Sequence, residues 1–297
     1  LERALELAPD FKPALALHAI VCERAWFIPD SPREVDWPAM ARASIERALE
    51  LASDLPETWV AAARIASNDA DYVHTAHALS RALDLAPTSG VAHESIGGLM
   101  CEAGRADEGV KHLELAVELD PTAKLAFVAL ARTHELHGRS ERADACLASA
   151  RALMTRFEMA VMGTCVRIAA WRGDLDTVRR IRVDAHKLPG VIPVFELMTT
   201  AMLGEGDATE IERDLVLAIE RVGPRFRTLV EQLTAEAFAL RGAPEQAMTA
   251  IRRAVDHTLV DIVWLDLCPV LGPVRALPAF AEARATVRSR ASAIWNI

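Results

Sequence analysis

Apolar and polar positions alternate along this chain on two scales, a helical one within a longer one. Helices repeatedly end on an alanine–leucine pattern, and the alanines that open those ends are Ala48, Ala82, Ala116, Ala150, Ala185, Ala218 and Ala254, spaced by 34, 34, 34, 35, 33 and 36 residues. A second small-residue ladder runs about twelve residues ahead, through Ala70, Gly104, Gly138, Gly173, Gly206 and Gly242. Two ladders in phase predict a repeated helix–turn–helix unit, and such units stack into a solenoid. The clearest unit spans 90–123. Its helix A runs to about Ala103, and Gly104 supplies the permissive turn. Helix B starts at Asp107, carries Ala116 and Val117 near its end, and is stopped by Pro121. Residues 56–89 and 124–154 repeat the plan, with Pro87 and Gly138 in matching places.

Two irregularities qualify the pattern. From Ala4 to Ala48 is 44 residues, and the excess falls in a proline-rich loop at about 29–37, marked by Pro29, Pro32 and Pro38. After Ala254 the ladder stops. Residues 258–297, rich in Trp, Leu and Pro, then read as a cap, with a final helix near Ala279–Trp295 docked on the last pair. The expected division is therefore an array at 1–257 and a capping segment at 258–297. The fold class is all-α, a superhelix of about seven helix pairs.

Composition supports this. Hydrophobic residues make up 52% of the 297 but aromatics only 5%. Alanine and leucine favour closely packed helices, and the alternating β-branched runs of strands are missing. Residues 1–150 hold 14 Lys and Arg against 24 Asp and Glu, whereas 151–297 hold 19 against 18. The acidic first half argues against direct nucleic-acid contact. Five scattered cysteines without a C-x-x-C pair fit reduced thiols in the cytoplasm, and no run suits a membrane span. The chain starts at Leu1 within a helical pattern, so a longer protein is expected, with apolar Leu5 and Leu7 left on an open edge.

Trp59, Ile96, Gly97, Gly104, Ala116 and Pro121 resemble the tetratricopeptide repeat at its characteristic offsets, as do Leu130, Ala131, Gly138, Ala143 and Ala150. Later units keep phase through Gly173 with Ala185, Phe195 with Gly206 and Ala218, and Phe238 with Gly242, Ala247 and Ala254. The resemblance covers about 1–257 and implies a right-handed α–α superhelix. The tail, through Trp264, Leu265, Asp266, Cys268, Pro269, Leu271, Pro273, Val274, Arg275 and Pro278–Phe280, resembles the end of repeat regions in bacterial serine/threonine kinases and related cyclase-like and winged-helix regulators. Neither a phosphate-binding glycine loop nor an H-R-D or D-F-G run occurs here. A kinase or cyclase domain would have to precede Leu1.

No assembled chemistry stands out. His74 and His77 near Asp71, and His134 and His137 before the Gly138 turn, lack a third metal ligand. His18 and Cys22 could touch one turn apart, but nothing orients them for nucleophilic work. Arg179, Arg180, Arg182, His186 and Lys187 form a basic cluster that reads as a solvated helix face or as a contact for an acidic partner. No cofactor, metal or catalytic set is expected.

In the family, helix A lines a concave groove. Carried across by position, the groove set is Glu57, Val60, Arg64, Ser67 and Asn68; Val91, Glu94, Gly98, Cys101 and Glu102; Leu125, Val128, Arg132, Glu135 and Leu136; then Arg167 and Trp171. Arginine recurs at one offset, with Gly98 as the gap. Arg64, Arg132 and Arg167 would anchor a peptide's carboxylates or carbonyls, with Val128 and Leu136 as apolar contacts, or would pair with Glu57, Glu94 and Glu135. The expected function is non-enzymatic protein or peptide binding in a larger bacterial signalling protein. A regulatory part of an enzyme and a self-association module are the alternatives.

Overall fold

The computed structural model describes residues 1–27, 35–189, 193–218 and 222–296. Within these every regular element is helical. A lone helix α1 (Glu2–Leu7) precedes seven antiparallel pairs: α2 (Lys12–Phe27) with α3 (Trp37–Ala52), α4 (Pro56–Asn68) with α5 (Tyr72–Leu85), α6 (Gly90–Glu102) with α7 (Ala106–Leu119), α8 (Lys124–Leu136) with α9 (Ser140–Ala152), α10 (Met159–Trp171) with α11 (Leu175–Ala185), α12 (Pro193–Met202) with α13 (Ala208–Ala218), and α14 (Pro224–Leu240) with α15 (Pro244–Asp256). Short α16 (Ile262–Leu267), a 3-10 turn at Pro269–Leu271, α17 (Gly272–Arg275) and α18 (Pro278–Ala293) complete it. The expected proline loop falls mostly on 28–34, outside the described residues.

The two ladders have separate physical causes. Ala48, Ala82, Ala116, Ala150, Ala185 and Ala254 are all fully buried, because neighbouring helices approach there too closely for a larger side chain. The other ladder ends the A helices. After α6 the Arg105 amide reaches back to the Met100 carbonyl, and the same bond runs from Arg139 to His134, Asp174 to Ala169 and Ala243 to Phe238. This closure needs a left-handed residue before the donor, and Gly104, Gly138, Gly173 and Gly242 have φ of 87°, 72°, 75° and 70°. Ala70 adopts φ 60° in the same role. One rung shifts: α12 is closed by Gly204, through the Glu205 amide on the Thr200 carbonyl, while Gly206 lies two residues further on in the turn.

The array does not remain an open groove. It winds back until its last units meet the inner wall of the first ones. Helix α14 lies on α4, and α16 lies on α6 and α8. Gly223 sits so close to α4 that an added Cβ would stand 2.7 Å from the Asn68 carbonyl oxygen. Phe226 meets Phe27 edge-on at 5.3 Å, and Arg105 stacks over Trp295 at 4.7 Å. One apolar core accordingly runs from Tyr72, Leu99 and Ala103 to Trp264, Val274 and Ile294. Helix α18 docks on α15, as expected of the tail, but α16 goes deeper, into the interior. At the other end Leu7 and Phe11 are exposed, whereas Leu5 packs against α2, contrary to the expectation for that residue.

Candidate binding face

The inner wall is made by the A helices, and the winding turns equivalent positions into a staircase. Position by position, the expected groove residues meet different fates. Arg64 does point inward, but its Nε donates to Glu23 of α2 at 2.7 Å, and Asn68 Nδ2 donates to the other oxygen of that carboxylate at 3.0 Å. Arg132 is paired with Asp261 at the start of α16. Arg167 is paired with Glu236 of α14, to which its Nε donates at 3.1 and 3.2 Å, and its NH2 donates to Gln232 at 3.3 Å. Glu102 accepts from Arg225 at 2.7 Å. The regularly spaced arginines are thus real, but Arg132 and Arg167 are occupied by the chain's own later helices. The expected alternative partners, Glu57, Glu94 and Glu135, are also not theirs.

Two other residues leave the groove altogether. Val60 is buried between units against Ala82 and Ala92, and Glu135 is buried under Arg172, whose Nε donates to it at 2.9 Å. Leu136 is buried in the main core, with Val128 half-buried at its edge. Glu57 is exposed. Glu94 is half-buried, and burial pushes its carboxyl up, with Arg64 and the Ala126 backbone N–H in the first turn of α8 opposing.

Deep in the ring the charges are balanced. Burial raises the Asp261 carboxyl, and Arg132 pulls it back only in part. Burial likewise disfavours ionised Glu102, but Arg225, helped by Arg132 and Arg167, wins and holds it below the usual range. Trp264 Nε1 adds a 2.7 Å bond to Glu236. Glu236 and Asp261 are thus buried carboxylates met by charged and polar donors, Arg167 and Trp264 for the one and Arg132 and Gln232 for the other. The thiols of Cys101 and Cys165 are each pushed up to about 11 by burial, which makes them inert at neutral pH.

The remaining candidates resolve on the surface. His74 Nδ1 lies 2.6 Å from Asp71, and among the described residues no three His, Cys, Asp or Glu side chains gather as metal ligands. His18 bonds Ser44 at 2.8 Å, with the Cys22 sulfur 3.8 Å away. The basic cluster is matched locally: Arg179 with Asp176, Arg182 with Glu205, His186 with Glu196 and Lys187 with Asp184.

Sequence reasoning missed the upper part of the face, Glu23 and Arg24 of α2. The signal was present in the 44-residue first spacing. Applying that offset to Ser67 and Asn68 lands on these two residues. Arg24 is exposed, yet it lies within electrostatic reach of Arg64 on α4, Glu23 on its own helix, Glu158 just before α10 and Glu94 on α6, and burial followed by Arg64 lowers its guanidinium.

No protein family's sequence profile matches the chain, and no curated protein matches it. Solved structures do. Yeast Tom70 aligns over 95% of this chain and 60% of its own at 18% identity, with a TM-score of 0.50. The chain therefore spans less than two thirds of that protein. The type IV pilus biogenesis factor PilW aligns over 66% and 93% at 20% identity, TM-score 0.49. A tetratricopeptide repeat protein from Parabacteroides merdae aligns over 79% and 92% at 12% identity, TM-score 0.46. Identities this low speak for fold alone, and they lend the expected absence of nucleic acid no support. No helix among the described residues is long and apolar enough to cross a membrane. With its seven helix pairs and left-handed helix closures, the fold is a right-handed tetratricopeptide-type solenoid.

Proposed function

We propose that this chain is a non-enzymatic protein-interaction module whose partner docks at the mouth of the inner wall, around Glu57, Arg64, Glu94 and Val128, and not along a continuous groove. One observation carries the reading: α14 and α16 cover the lower inner wall with buried ion pairs, while the upper wall keeps exposed or half-exposed polar side chains. Partner contacts in helical arrays use such concave faces. The wider reading, a regulatory region of a bacterial signalling protein, rests on the tail resemblance. Much of that tail has an internal explanation, since Trp264, Leu265, Cys268, Leu271 and Val274 are fully buried. The test is site-specific photocrosslinking in the source cells, with the reactive group at Glu57 or Val91 at the mouth and at Arg142 on the convex side. A discrete protein adduct from the mouth positions supports the proposal. Adducts from Arg142 alone would move the site to the outer face.

A further inference from the structure

Helix α2 turns an apolar stripe to the outside. Pro13, Leu17, Val21 and Arg24 follow one another at helical spacing and are all exposed, with Ile20 half-buried beside them. A helix side that meets only water is normally polar, yet Arg24 is the single polar member of this one. Phe11, just before α2, adds an exposed ring at its start. The repeat register shows what these positions do elsewhere. Val21 stands 17 residues after Ala4, as Ile65, Leu99 and Thr133 stand after Ala48, Ala82 and Ala116. Those three are 5%, 7% and 3% exposed, whereas Val21 is 47% exposed. Ile65 is covered by α2 itself, in one cluster with Cys22 and Trp26. Val21 is therefore a helix-packing residue whose counterpart is missing.

The size of Leu17 narrows what the counterpart is. Thirteen residues after the ladder alanine, the next three A helices carry Ala61, Ser95 and Ala129. Small residues there let consecutive A helices approach closely. Helix α2 carries a leucine at this offset, 48% exposed. Another A helix stacked in the same register would run into that leucine. The stripe fits a helix that packs at a wider spacing and in another orientation.

We propose that this stripe is a self-association face, on which α2 of a second copy docks antiparallel. A two-fold interface needs a surface that complements itself, and this one does. With the axis level with Ala19, Leu17 of each copy faces Val21 of the other. Arg24 then falls over the first turn of the second copy's α2, next to the exposed Asp10. Lys12, at the same end, is held by Asp54 at 2.8 Å, so its charge is already matched within its own copy. Phe11 is covered by the far end of the opposing helix. Exposed apolar surface of this kind is the usual mark of a protein contact. The inference does not rest on the partner site at the mouth.

The test is the mass of the full chain by light scattering, from micromolar to near-millimolar concentration. The 32.4 kDa chain should pass reversibly from monomer to dimer. Leu17→Glu with Val21→Glu places four carboxylates in the contact and should weaken the dimer by about a hundredfold or more, with helix content unchanged by circular dichroism. A second pair of variants touches only exposed polar residues. Arg24→Asp should weaken the dimer by about tenfold, and adding Asp10→Arg should restore it. A chain that stays monomeric throughout gives the stripe to another partner and overturns the proposal. A dimer indifferent to Leu17→Glu with Val21→Glu forms through another surface and also overturns it. Failure of the charge exchange to restore the dimer overturns the antiparallel pairing. None of these outcomes bears on crosslinking at the mouth, so the two proposals fail separately.

Discussion

Replacing Arg167 by methionine should unfold the ring before it affects any partner. Glu236 is completely buried, and its carboxylate is satisfied by Arg167 and by Trp264 Nε1. Methionine keeps much of the arginine's stem but removes the guanidinium bonded to that carboxylate. A buried ion pair broken from one side costs about 3–5 kcal/mol, because the surviving charge is left without compensation. Whole domains have only about 5–15 kcal/mol to lose, so the effect is severe. Changing both residues, Arg167→Met with Glu236→Met, removes both charges and should recover most of the loss, since apolar replacement of a buried pair is often neutral or better. Urea unfolding followed by circular dichroism gives both numbers, and the single variant should lower the midpoint far more than the double. By contrast, Arg64→Ala should cost less, because its side chain is 24% exposed and water can reach the space it leaves. A cost below about 1 kcal/mol for Arg167→Met, or a double variant worse than the single, would refute the assignment of this pair as the seal between α10 and α14.

Other perturbations test other links. Gly138→Ala meets no neighbouring atom but forces a side chain into φ 72°, and should cost about 1–2 kcal/mol by the same unfolding assay. Thr258 closes α15 at φ 71°; Thr258→Gly removes that strain against a smaller loss of backbone freedom, and should raise stability by about 0.5–1 kcal/mol. Deleting residues 258–297 strips α16 from the inner wall, and should give strong binding of an apolar dye and loss of solubility; a truncated chain as stable as the parent would contradict the continuous core. On the acid side, burial and His93 depress His112, and burial with Arg139 and Arg142 depresses His134. A base depressed by folding stabilises the fold above its ordinary value near 6.5 and loses that contribution as pH falls through it. The urea midpoint should therefore drop from pH 7.5 to 5.5, and the drop should shrink in His112→Gln with His134→Gln; an unchanged slope would refute the linkage.

The sequence was most informative where one physical constraint fixes one residue type. Helix ends that demand left-handed backbone select glycine, and close helix contacts select alanine, so both ladders translated into structure almost rung for rung. The exception obeys the same logic. In "LGEGD" two glycines offer the left-handed conformation, and spacing alone picked Gly206 where the Thr200 carbonyl picks Gly204. Direction was legible only in part: Val60 and Glu135, taken from the same register, are buried elsewhere, whereas Arg64, Arg132 and Arg167 bond to Glu23, Asp261 and Glu236. What they meet was not legible, because it depends on how far the array winds. A small rotation per unit, accumulated over seven units, decides whether position 261 is a distant tail or the counter-ion of Arg132, and no local pattern encodes that sum. The acidic residues that complete the ring, Glu236 and Asp261, look like ordinary helix and cap residues in sequence. Asp261 indeed also caps α16, accepting the Trp264 amide at 2.9 Å. Their second role exists only once the superhelix closes.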